Sequence, residues 1–320
     1  MKIALHTISY SGSWGQASLP LEKIIERTAQ LGYDGLMLAA KRPHASPLEF
    51  NSEARKNLRA KMEEHGIALT CLAGYTNFTA DAEHTEVPHR EMQIYYVAEL
   101  CRLATDLGGK IVRIFTGYEH PALPYSRAWD LTVAAIRECA RRAADVGAVL
   151  AVQNHHDLAG HSAACLQFIR AVDQPACCAA FDAWAPALQG DDLIAAAKLL
   201  APVTVFTTIA DYVRIPRFRY QPELVNYAPQ PDYIQAVPMG EGFINYTAFL
   251  KSLCENGYTG PVAYEMCSPL RDGGSLETLD QYARQFVEFM RPWRAPQTGS
   301  PATPVHNGVD LSNPTGERVT

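Results

Sequence analysis

At 320 residues, 48% of them hydrophobic and 19% charged, the chain carries enough apolar surface for a large core without disulfide or metal staples. A formal net charge of -6 and the absence of a long basic run argue against nucleic acid as a partner. No stretch has the run of uncharged apolar residues that a membrane span needs, and the opening residues show no leader pattern, so a cytoplasmic protein that meets no membrane is expected.

Strand-like runs begin near Ile3, Gly35, Ile67, Ile111, Val149, Cys178, Val203 and Val262. Between them lie helical patterns, with apolar residues three and four apart, at 21–31, 95–107, 129–146, 192–200, 244–255 and 276–290. Gly32, Gly66, Gly108, Gly147 and Gly257 each follow a helical pattern and precede a strand, as glycines that close helices do. Repeated strand–helix units predict a parallel sheet, and eight of them predict a closed (β/α)8 TIM barrel over residues 1–293. The first strand is not followed by a G-x-G-x-x-G loop, which argues against an open dinucleotide-binding sheet. Residues 294–320 lose apolar periodicity and read as an extended or disordered tail, or one wrapped on a partner subunit, which leaves a homo-oligomer open. The eight cysteines form no C-x-x-C pair and read as reduced core thiols.

The strand-to-helix joints are the long ones: 74–87, 116–125, 154–161 and above all 210–243. In a barrel this loads the C-terminal face, where barrel enzymes build their sites. Three apolar runs end abruptly in polar groups facing that side. Residues 148–157 read Ala-Val-Leu-Ala-Val-Gln-Asn-His-His-Asp; Phe181 is followed by Asp182, and Tyr264 by Glu265. Oxygen and nitrogen donors that converge on one rim suit a divalent metal or proton transfer. In the segment 210–243, arginines and tyrosines suggest a lid or binding element for a polyhydroxy or anionic ligand.

With these acidic strand ends, with Gly240-Glu241-Gly242, with Asn256-Gly257-Tyr258-Thr259-Gly260 and with Tyr264-Glu265, the chain resembles the xylose-isomerase-like barrel superfamily over roughly residues 1–290. The sugar phosphate isomerase/epimerase branch is the nearest in pattern; inosose dehydratases and the endonuclease IV branch are its relatives. The resemblance implies one divalent ion, manganese or magnesium before zinc or cobalt, held by Glu, Asp, His and Glu on strands five to eight. Asp182 and Glu265 keep two of those positions. Gln153 takes the first, and Val205-Phe206-Thr207-Thr208 offers no histidine for the third. The expected ligand set is therefore Gln153, Asp182 and Glu265, completed by His155 or His156, with a metal-free hydrogen-bonded cluster as the alternative.

The resemblance also implies a histidine past strand five in proton transfer, which makes His156, with His155, the candidate base. Arg217 matches a substrate-binding arginine of related epimerases. Lys41 follows strand two, Arg113 lies within strand four, and His6 ends strand one; each is a further candidate for substrate contact, with core packing as the other reading for His6. Trp184 forms either a wall against a sugar ring or a helix–barrel contact. The expected activity is a metal-dependent carbohydrate isomerase or epimerase that abstracts a proton beside a sugar carbonyl. A β-eliminating lyase, dehydratase or hydratase on a keto-sugar is the alternative, and a non-catalytic sugar-binding barrel the reading of another class.

Overall fold

The structure, a computed structural model, describes residues 1–294. The expected tail, residues 294–320, lies outside that span from residue 295 onward. Eight strands form the barrel: β1 (Ile3–His6), β2 (Gly35–Ala39), β3 (Ala68–Ala73), β4 (Ile111–Ile114), β5 (Val149–Gln153), β6 (Cys177–Ala180), β7 (Thr204–Ile209) and β10 (Val262–Tyr264). They close in the order β1-β10-β7-β6-β5-β4-β3-β2, and the seam is the parallel pairing of Ile3 with Val262 and Leu5 with Tyr264.

Helices α1 (Leu21–Gln30), α2 (Ser52–Glu64), α3 (His89–Asp106), α4 (Tyr125–Asp145), α5 (Ser162–Val172), α6 (Trp184–Gln189), α7 (Leu193–Leu200), α8 (Tyr246–Glu255) and α9 (Leu276–Met290) surround it. Helix α2 shows only a weak apolar stripe: Leu58 and Met62 alone of its thirteen residues are buried, and most of the rest is charged or polar. It is nevertheless started by a strong cap: Asn51 accepts a hydrogen bond from the Ala54 N–H.

Two apolar layers hold the fold. The larger lies between strands and helices and includes Leu5, Leu36, Leu72, Val112, Leu150 and Phe286. The smaller is the barrel's own filling: Ala4, Met37, Cys71, Ala73, Ala151, Ala180, Phe206 and Ala263. Side chains alternate along a strand, so two residues beyond each of these the chain again faces inward. Ala4 leads to His6, Ala73 to Tyr75, Ala151 to Gln153, Ala180 to Asp182, Phe206 to Thr208 and Ala263 to Glu265. The small filling residues support a polar layer laid directly on top of them.

The segment expected as a long loop is a hairpin of β8 (Asp211–Gln221) and β9 (Asn226–Val237), paired antiparallel outside the barrel. It is anchored at its base. Asp211 is buried and its Oδ2 accepts the N–H groups of Gly240 and Gly242, each at 2.9 Å. A Cβ on Gly242 would lie 1.9 Å from Asp211 Oδ1, so the Gly240-Glu241-Gly242 turn owes its second glycine to this close approach.

Candidate active site

A cleft of about 280 Å³ opens at the C-terminal ends of the strands. Its polar floor is made by Gln153 of β5, Asp182 past β6, Thr208 of β7 and Glu265 past β10. Its walls are aromatic: Tyr75, Phe115, Tyr118, Trp184 and Tyr212, with Trp14 from the first loop. Of these, Trp184 was a candidate from the sequence and Tyr212 lay in the flagged segment 210–243; Trp14, Tyr75, Phe115 and Tyr118 were not singled out. They sit beyond the strand ends, where no periodicity points to them.

The two carboxylates have opposite surroundings. Asp182 is buried; its Oδ2 accepts Gln153 Nε2 at 2.7 Å and its Oδ1 accepts the Trp184 N–H at 2.9 Å. Burial, reinforced by the charge of Glu265, pushes its carboxyl up to about 7 against the weaker pull of those bonds. Burial also pushes Glu265 up, but His6 and Arg113 outweigh it and hold that carboxyl below its ordinary value. His6 Nε2 lies 3.4 Å and Arg113 Nη2 3.6 Å from Glu265 Oε1, and Cys267 Sγ lies 3.7 Å from the same oxygen. Glu265 Oε2 and Gln153 Oε1 are buried without a partner.

The expected residues are partly brought together. Lys41, Arg113 and Trp184 line the cleft with Gln153, Asp182, Glu265 and both histidines. Lys41 Nζ stands 3.8 Å from the centre of the Tyr75 ring. His6 does not reach the cleft lining; it lies beneath it, with Nδ1 3.0 Å from the Met37 carbonyl. Arg217 stands on the exposed flank of the hairpin opposite Gln230 and is not part of the lining, so the expected substrate arginine is absent from the cleft. The charged residue that the strand phase could not orient, Arg113, is the one that points inward.

His156 is held in the wall of the cleft. Its ring is stacked between Phe115 and Tyr118, at 4.3 and 4.0 Å, and its Nε2 is 2.8 Å from the Tyr118 hydroxyl. Burial, with help from His155 and Arg113, lowers its pKa to about 3. A neutral imidazole so reluctant to take a proton is a poor general base at neutral pH. His155 is exposed at the rim, beside Phe115 and Trp184.

The expected metal ligands do not make a cation site. Gln153 turns its amide nitrogen toward Asp182 and Thr208, at 2.7 and 3.2 Å, and thus donates where a ligand must accept. Thr208 is the residue of Val205-Phe206-Thr207-Thr208 that lines the cleft, and a guanidinium already faces Glu265. Among the described residues, no group of three or more His, Cys, Asp or Glu side chains converges in a way that could hold a metal ion.

A family model described as xylose isomerase-like TIM barrel matches residues 25–293. No curated protein matches the chain. Among solved structures, D-psicose 3-epimerase from Clostridium cellulolyticum H10, bound to D-tagatose, is 18% identical with a TM-score of 0.68, over 91% of this chain and 99% of that one. D-allulose 3-epimerase from Methylomonas sp. is 15% identical with a TM-score of 0.70, over 91% and 97%. The 3-keto-D-glucoside 4-epimerase from E. coli is 17% identical with a TM-score of 0.66, over 91% and 99%. At these identities the likeness is one of fold.

Proposed function

Since the chain belongs to the xylose isomerase-like TIM barrel family, we propose that it is a carbohydrate isomerase or epimerase that moves a proton at the carbon beside a sugar carbonyl. The observation that carries this reading is a pair of carboxylates, the buried Asp182 and the partly exposed Glu265, that share one aromatic-walled cleft but sit in opposite environments. Several structures of like fold are epimerases of keto-sugars, which supports the substrate class.

Glu265 is the base. The Arg113 guanidinium keeps it ionised, and its unpartnered Oε2 is available to accept the proton. Asp182, with a pKa near 7, exists in both forms at neutral pH and can return a proton either to the same carbon from its other face, which epimerises it, or to the neighbouring carbon, which isomerises the sugar. The aromatic walls exclude water and offer flat faces for the C–H side of a sugar ring.

The test is exchange of solvent deuterium into D-fructose, D-allulose, D-tagatose and a 3-keto-glucoside, followed by NMR. Wild-type protein is expected to label one carbon beside the carbonyl, and Glu265→Gln to lose that labelling by roughly 100-fold or more. Labelling that survives in Glu265→Gln removes Glu265 as the base. No labelling of any of the four sugars would overturn the reading.

A further inference from the structure

We infer that Arg113 is the resident cation of this cleft, giving the carboxylates the counter-charge that the family pattern assigns to a divalent metal, and that the site works without one. The inference deepens the proposed reading of the same site, and its main readout does not depend on that reading.

Arg113 is among the largest fully buried side chains of the molecule. A guanidinium is not left inside a barrel without strong compensation, since burying an unpaired charge is very costly. The compensation is visible. Nη1 donates to the Gly74 carbonyl at 2.9 Å, and the plane of the group lies over Phe115 at 4.1 Å and over Tyr75 at 5.0 Å. Its opposite charge is Glu265, 3.6 Å from Nη2. Nε and Nη2 have no hydrogen-bond partner. These two nitrogens form the side edge of the guanidinium, the fork that matches two oxygens at once. Arg113 therefore neutralises Glu265 through space while keeping a pair of donors uncommitted at the floor of the cleft.

The rest of the donor set is arranged around that charge. Glu265 Oε1 is shared by His6, Arg113 and Cys267. Asp182 Oδ2 is taken by Gln153 Nε2, with Thr208 Oγ1 at 3.5 Å, and Oδ1 by the Trp184 N–H. The oxygens left over are Glu265 Oε2 and Gln153 Oε1, one charged and one neutral. A divalent ion of the manganese or magnesium kind takes about six oxygen or nitrogen donors, several of them waters, and favours a net negative site. Here the protein offers two free oxygens and the ring of His155 at the rim, with a fixed positive charge beside Glu265. Gln153 and Thr208 at the strand ends carry no charge, and the buried Arg113 places a positive one beside Glu265.

Titration of the full-length protein with Mn2+, followed by calorimetry and by the electron paramagnetic resonance of the free ion, tests this directly. Wild type, after treatment with excess EDTA and its removal, is expected to show no saturable binding below the millimolar range. The double variant Gln153→Glu/Thr208→His restores the ligand types. Adding Arg113→Met removes the resident charge and should tighten Mn2+ by a further 10-fold or more over the double variant. Adding Arg113→Lys instead, which keeps the charge, should hold the double variant's affinity. A merely structural Arg113 would lower the melting temperature of the Met variant without separating the Met and Lys variants in Mn2+ affinity. Micromolar Mn2+ binding by wild type that is lost in Asp182→Asn overturns the inference without any variant of Arg113, so a misfolded Met variant does not shield it. Sugar labelling that needs added Mn2+ overturns it too. Absence of labelling with and without Mn2+ counts against the proposed function, whereas the Mn2+ titration still decides the role of Arg113.

Discussion

His156 shows how far a side chain's surroundings can redirect it. The residue pair at the end of β5 points to a base by sequence alone, yet the ring is fixed between Phe115 and Tyr118 and bonded to the Tyr118 hydroxyl. The ring thereby ties Phe115 to Tyr118 within the wall. Replacing it with phenylalanine preserves the stack and removes the hydrogen bond. His156→Phe is expected to raise KM while cutting kcat by less than about 10-fold, against the 100-fold or more that loss of a positioned base produces. A loss of kcat as large as that of Glu265→Gln would return His156 to the role of base. What decides between the two readings is burial and stacking, and neither is visible in a string of residues. The inward direction of Arg113 was equally hidden, because a four-residue strand with apolar neighbours on both sides has no phase of its own.

At the scale of elements, the strands of the barrel were legible and the hairpin was not. Strands β5, β6 and β10 are apolar runs that stop at a polar group, because one end of the barrel is filled and the other opens to solvent. The two-rule phase that leads from Ala151 to Gln153, from Ala180 to Asp182 and from Ala263 to Glu265 therefore identifies the floor of the cleft from sequence. The β8–β9 ribbon packs neither face on the core over most of its length, so nothing forces apolar alternation, and Pro216, Pro229 and Pro231 speak against strands. Its position depends instead on Asp211 and the Gly240-Glu241-Gly242 turn. Gly242→Ala should drive the Asp211 carboxylate aside and break both of its backbone bonds, at a cost of about 2–4 kcal/mol for two hydrogen bonds to a buried charge. The expected result is a melting temperature lower by several degrees, measured by circular dichroism. An unchanged melting temperature would show that the turn is not what holds the ribbon.

For the molecule as a whole, the buried titratable groups set how stability varies with pH, and they act in opposite senses. Burial lowers His6 to about 4, His44 to about 4 and His156 to about 3, each from an ordinary value of 6.5. Between those folded values and 6.5, the unfolded chain binds protons that the folded chain refuses. Stability from these three groups is therefore complete above about pH 6.5 and is lost as the pH falls through the folded values. Asp182 runs the other way. Its folded pKa of about 7 exceeds its ordinary 3.8, so in that window the folded chain holds a proton that the unfolded chain releases, and stability declines as the pH rises toward 7. Asp211, raised by burial in the same direction, adds to this smaller opposing slope. Below about pH 6.5 the three histidines dominate and acid destabilises; just above it only the raised carboxyls still titrate. Melting temperatures across about pH 4 to 8 should accordingly peak near 6.5, fall steeply on the acid side and shallowly on the other. Asp182→Asn should flatten the alkaline limb and leave the acid limb standing, because the amide carries no proton to release. A wild-type curve that is flat below pH 6.5 would mean that the buried imidazoles are protonated in the folded protein, and the stacked, neutral His156 that keeps proton transfer with the carboxylates would have to be abandoned with it.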